Sequence, residues 1–109
     1  MTRRVTLRPQ VPDDLRSIIS HLEQHSDFAA DRFIDAVFRA FNELAGWPGK
    51  GSPKQFSSAR LSGVRSWSVP GFRNHLILYR PLAESIDVLA VVHGSRRIRS
   101  LLMARTPPA

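Results

Sequence analysis

The stretch Ile86-Asp87-Val88-Leu89-Ala90-Val91-Val92 is an almost continuous apolar run. Such a run reads as a β-strand buried on both faces. In a chain of 109 residues, which can bury one modest core, the other elements must be arranged around it. Upstream, Val64, Ser66 and Ser68 alternate with Arg65, Trp67 and Val69, which reads as a strand over 64–69. Pro70-Gly71 is a turn, and Asn74 to Tyr79 reads as the next strand. Pro81 to Ser85 turns again into the apolar run. Turns this short imply an antiparallel meander.

The N-terminal half has the helical period. Residues 3–8 read as a short first strand that stops at Pro9. Pro12-Asp13-Asp14 is a helix start, with proline in the first turn and acids at the positive end of the dipole. Leu15, Ile18, Ile19 and Leu22 then form one apolar stripe, and the helix is expected to end near His25. Ser26 or Asp27 can cap a second helix. Its apolar positions run through Phe28, Phe33, Ile34, Val37, Phe38, Phe41, Leu44 and Ala45 to the stop at Gly46 and Pro48. A link this short makes the pair an antiparallel hairpin. Residues 46–63 are rich in Gly, Pro and Ser and read as a loop.

The expected fold is α+β in the order β-α-α-β-β-β, one domain over residues 1–109. The helical hairpin packs on one face of a small, mainly antiparallel sheet. The other face, and the loop before the strands, are left for function. Arg96 to Met103 reads as a short C-terminal helix or as a loosely ordered segment, within a basic tail over about 94–109. Thr106 to Ala109 reads as frayed.

Charge is segregated along the chain. The net charge is +7, of which the segment 1–59 carries +1 and the segment 60–109 carries +6. Every basic residue of the second segment is arginine, whose planar fork grips phosphate or carboxylate in a bidentate way. Acidic partners follow, either nucleic acid or an acidic protein segment. There is no cysteine, which removes disulfides and thiolate chemistry. Four scattered histidines do not make a metal site, and no cofactor is expected. No leader or membrane span is visible, so the cytoplasm is the expected location.

Most enzyme classes find no support: no phosphate loop, no carboxylate pair in the strands, no nucleophile elbow. A metal-free ribonuclease needs a base, cations for the phosphorane and an acid. Arg65, Arg73, Tyr79, Arg80 and His93 are candidates by type. His93 closes the buried strand and is read either as catalytic or as a hydrogen-bonded structural residue. Arg96, Arg97 and Arg99 suit phosphate, an acidic peptide or plain solvation. Trp47 and Trp67 could stack on bases, with Trp47 expected to plug the edge of the core. His21 and His75 are expected at the surface. The broad apolar surface of the second helix is either core or a groove for a partner helix.

Three stretches together resemble the ParE toxins of bacterial toxin–antitoxin modules, in the RelE/ParE superfamily. They are Gly46-Trp47-Pro48-Gly49-Lys50-Gly51, Val69-Pro70-Gly71-Phe72-Arg73-Asn74-His75-Leu76-Ile77-Leu78-Tyr79-Arg80 and Val91-Val92-His93-Gly94-Ser95-Arg96-Arg97. They are similar to the family's "FPxxG", "VPGFRNYLIFYR" and "VLHGARD". The resemblance implies a toxin that blocks DNA gyrase and is neutralised by a ParD-like antitoxin wrapped over the hairpin and sheet. On that footing Leu15, Ile19, Phe33, Val37, Phe41, Arg73 and Arg80 would meet the antitoxin. Arg96, Arg97 and Arg99 would lie in the tail tied to gyrase toxicity. The RelE branch implies the alternative, a ribosome-dependent mRNA endonuclease. A third reading is a non-toxic module that binds only the antitoxin.

Overall fold

The computed structural model describes residues 2–106. The order is β1 (Arg4–Leu7), α1 (Val11–Glu23), α2 (Asp27–Gly46), β2 (Ser52–Pro53), β3 (Arg65–Val69), β4 (Phe72–Pro81), β5 (Ser85–His93) and α3 (Ile98–Arg105). The sheet runs β1-β5-β4-β3-β2. Strands β2 to β5 pair antiparallel, while β1 lies parallel to β5 because the hairpin carries the chain back across the sheet.

The helix ends follow local chemistry. Pro12, Asp13 and Asp14 start α1 although its cap residue makes no side-chain bond. Ser26 Oγ accepts the Ala29 N–H at 3.2 Å and starts α2. The segment 46–63 is more ordered than a plain loop. It holds two 3-10 turns, Pro48–Lys50 and Ala59–Leu61, and the edge strand β2. Two residues, one of them proline, give no periodic signal of a strand.

The sheet has two covered faces. On the hairpin face, Phe33, Val37, Phe41 and Leu44 of α2 pack with Ile77, Tyr79, Ile86, Val88 and Val91, with Leu15, Ile18, Ile19 and Leu22 of α1 along the margin. The opposite face was expected to be open. Instead Leu61, Val64, Leu78, Leu89, Ala90, Val92 and Leu102 form a second core there, roofed by α3 and the Ala59–Leu61 turn. Two neighbours on β5, Leu89 and Ala90, both turn to this second core. The register shifts between Leu78 and Tyr79, from Leu78↔Ala90 to Tyr79↔Val88, leaving Leu89 as an extra residue. Residues 94–97 are exposed, but the rest of the presumed tail through Thr106 is a docked helix and its end. Pro107 to Ala109 lie outside the described residues.

Candidate interaction site

Three of the five ribonuclease candidates are fastened to the backbone of the fold. Tyr79 is fully buried; its hydroxyl donates to the Pro48 carbonyl at 2.6 Å and accepts the Gly51 N–H at 2.9 Å. Burial raises its pKa, against the lowering effect of the Gly51 N–H and of Arg65. Arg65 lies across from Tyr79 on β3, and its Nε donates to Gly51 O at 2.8 Å and its Nη2 to Gly49 O at 3.1 Å. A Cβ on Gly51 would lie 2.6 Å from the Tyr79 hydroxyl, so only glycine lets the loop come this close. Arg80 Nη2 donates to the Arg60 carbonyl at 2.5 Å.

Arg73 and His93 are exposed and sit at the other end of the sheet. Arg73 and Arg80 are seven positions apart on one strand, about 23 Å. The five residues therefore do not converge on one scissile bond.

Arg73 instead gathers with the segment after β5. Gly94 N–H donates to Asn74 O at 2.7 Å, which places the Ser95-Arg96-Arg97 connection next to the start of β4. Arg73, Arg96, Arg97 and Arg99 are all exposed, and none is in the ion pairs found among the described residues. Such a surface can take carboxylates or phosphates without first breaking a bond.

The residues that hold this surface in place gave no periodic signal. Arg105 forms a bidentate pair with Asp14, Nη1 to Oδ2 at 2.6 Å and Nη2 to Oδ1 at 2.7 Å. The same Nη1 donates to Leu89 O at 3.1 Å, and Asp14 Oδ2 accepts the Val91 N–H at 3.1 Å. Strand β1 pairs only as far as Val88, so this ion pair satisfies the edge of β5 beyond it and ties α3 to α1. Arg60 closes the far end of α3, donating to Met103 O at 2.9 Å and from Nε to Thr106 O at 3.0 Å. An acid and an arginine 91 residues apart cannot be matched by spacing.

Of the residues expected to meet an antitoxin, Phe33, Val37 and Phe41 are core and show no surface. Leu15, Ile19 and Arg80 are half-buried, and Arg73 is exposed. Phe28 and Phe38 show outward from α2, 70% and 49% exposed, so the broad apolar surface of that helix, which the sequence left open between core and groove, is divided between a buried face and an exposed one. The Arg32 guanidinium sits over Phe28 at 5.7 Å and Phe72 at 5.8 Å. Trp47 does not plug the core edge; it is 66% exposed. The Lys50 ammonium lies 5.9 Å from the Trp47 ring and 5.0 Å from that of Trp67. His75, expected at the surface, is half-buried against Phe33 at 5.3 Å between ring centroids. Among the described residues no cluster of three or more metal-ligating side chains forms, and no helix is long and apolar enough to cross a membrane.

A family model described as the ParE toxin of type II toxin-antitoxin system, parDE, matches residues 5–98. No curated protein matches this chain. Among solved structures, the chain is similar to one titled "Chromosomal ParDE TA system from P. aeruginosa", with a TM-score of 0.67 at 14% identity, covering 84% of this chain and 96% of that one. At that identity the likeness speaks for the fold.

Proposed function

Starting from a chain that belongs to the ParE toxin family of type II toxin–antitoxin systems, we propose that it acts by inhibiting DNA gyrase and is held in check by a ParD-like antitoxin. The action is protein–protein contact, in the cytoplasm where gyrase works. The observation that supports it is the exposed set Arg73, Arg96, Arg97 and Arg99, in none of the ion pairs found among the described residues, with the Ser95-Arg96-Arg97 connection held beside the start of β4. The separation of Arg65, Tyr79 and Arg80 from Arg73 and His93 weighs against an endonuclease.

The antitoxin lies along the outer side of the hairpin, where Phe28 and Phe38 of α2 and the half-buried Leu15 and Ile19 of α1 offer apolar surface. Phe33, Val37 and Phe41 support that surface from beneath.

Expression without an antitoxin tests the reading, with filamentation, trapped gyrase–DNA complexes and mRNA integrity followed in parallel. Filamentous cells with trapped complexes and intact mRNA are expected. Cleaved mRNA would favour the endonuclease. Normal growth with both untouched would favour a module that only binds the antitoxin.

A further inference from the structure

Three histidines from different elements meet at the arginine-bearing end of the sheet. His75 of β4 is the cross-strand partner of His93 on β5, with ring centroids 5.4 Å apart and edge-on. His21 of α1 lines the same cleft of about 350 Å³, as does Arg96.

His93 makes a contact that specifies its protonation state. The Ser95 backbone N–H donates to His93 Nδ1 at 3.1 Å, and Ser95 Oγ lies 2.8 Å from the same nitrogen. A backbone N–H can only donate, so Nδ1 must be bare and the proton of the neutral ring must sit on Nε2. An imidazolium carries hydrogen on both nitrogens and cannot accept the Ser95 N–H; its Nδ1–H can then only donate, to Ser95 Oγ.

We propose that His93 is a proton-operated latch on the β5–α3 connection: its neutral ring accepts the Ser95 N–H in the 93–95 turn that leads to Arg96 and Arg97, and its protonation gives up that bond and loosens the turn, which the Gly94 N–H to Asn74 O and Arg96 N–H to His93 O bonds still keep on the sheet. Charged and titratable groups face His93 from the neighbouring elements. From β4 it faces His75, with Arg73 further along that strand. From α1 come His21 and two carboxylates, of which Asp13 is bonded to Arg16 and Asp14 to Arg105. The α2 side is Phe33, which backs His75, and the connection itself brings Arg96. The loosened segment stays attached at one side through Gly94 and at the other through α3, whose far end is anchored by Arg60 and Arg105. The latch thus alters how the arginines are presented without unfolding the domain. It rests on the His93–Ser95 geometry alone and holds whichever macromolecule the arginines engage.

Long-range proton–nitrogen correlation spectra of the full-length protein, followed from pH 8 to pH 5, test it. At pH 8 the His93 ring should show the Nε2–H tautomer. The Ser95 amide should shift with the midpoint of the His93 ring. Exchange at the Ser95, Arg96 and Arg97 amides, corrected for intrinsic pH dependence, should rise several-fold below that midpoint. His93→Gln should make the Ser95 amide insensitive to pH over this range. An Nδ1–H tautomer at pH 8 would overturn the proposal, as would Ser95 to Arg97 amides unmoved while His93 titrates.

Discussion

Arg65 and Tyr79 show what single side chains do here. Each is of a type that suits phosphate chemistry, yet each spends its polar atoms on the Pro48 to Gly51 backbone. Tyr79→Phe removes one partner from a buried N–H and from a carbonyl, and should cost about 1–3 kcal/mol. Urea unfolding would measure this; an unchanged midpoint would mean that the hydroxyl does not anchor the loop. His75 contributes through pH. Burial, then His93, then His21 hold its pKa below the ordinary imidazole value. The unfolded chain therefore takes up the proton first as pH falls. The contribution of His75 to stability is complete above about pH 7 and is lost progressively below about 6.5. The urea midpoint should decline from pH 7 to pH 5, and His75→Gln should flatten that decline; an unaltered slope would exclude His75 as its source.

At the scale of elements, the sequence was legible wherever a period or a stop residue carried the information. The hairpin, the meander and the apolar strand β5 all lie close to where Leu15 to Leu22, Phe33 to Gly46 and Ile86 to Val92 placed them. What was illegible depended on distant partners. Strand β2 exists because β3 offers it an edge, and the Leu89 bulge exists because the Leu78–Tyr79 register shifts. Helix α3 has little periodicity of its own and is set by Leu102 in the second core, with Arg60 and Asp14 at its end. The candidate site was read in part. Its arginines were found by charge segregation, but the split of Arg65 and Arg80 from Arg73 needed the strands, and the burial of Phe33, Val37 and Phe41 needed the packed core. The basic segment is consequently no detachable tail. Truncation after Gly94 removes Leu102 and the Asp14–Arg105 pair together, exposing the face of Leu78, Leu89 and Val92. The truncated chain should bind a hydrophobic dye and lose its sharp urea transition; a cooperative transition of full amplitude would show that α3 is dispensable. Substitution, not deletion, is the clean probe of the arginines.

Across the whole molecule, structure and charge are divided. The half rich in helix is nearly neutral and supplies the hairpin, while residues 60–109, with the strands β3 to β5, their connections and α3, carry +6 of the net +7. Part of that excess is structural: Arg60, Arg65, Arg80 and Arg105 bind carbonyls or Asp14 within the fold. The surplus that faces outward is Arg73 with Arg96, Arg97 and Arg99, beside the His93–Ser95 turn. In the proposed function, contact with the target calls for such an electrostatically unspent surface, and masking by an antitoxin calls for a separate apolar face, the role proposed for the exposed Phe28 and Phe38. The central claim is met most directly by a supercoiling assay with purified gyrase and the full-length protein, run beside the triple substitution Arg96→Gln, Arg97→Gln, Arg99→Gln. The account predicts that the unaltered protein blocks supercoiling and that the triple variant, folded to the same urea midpoint, loses at least tenfold in potency. Full inhibition by the variant, or supercoiling untouched by the unaltered protein, would contradict it.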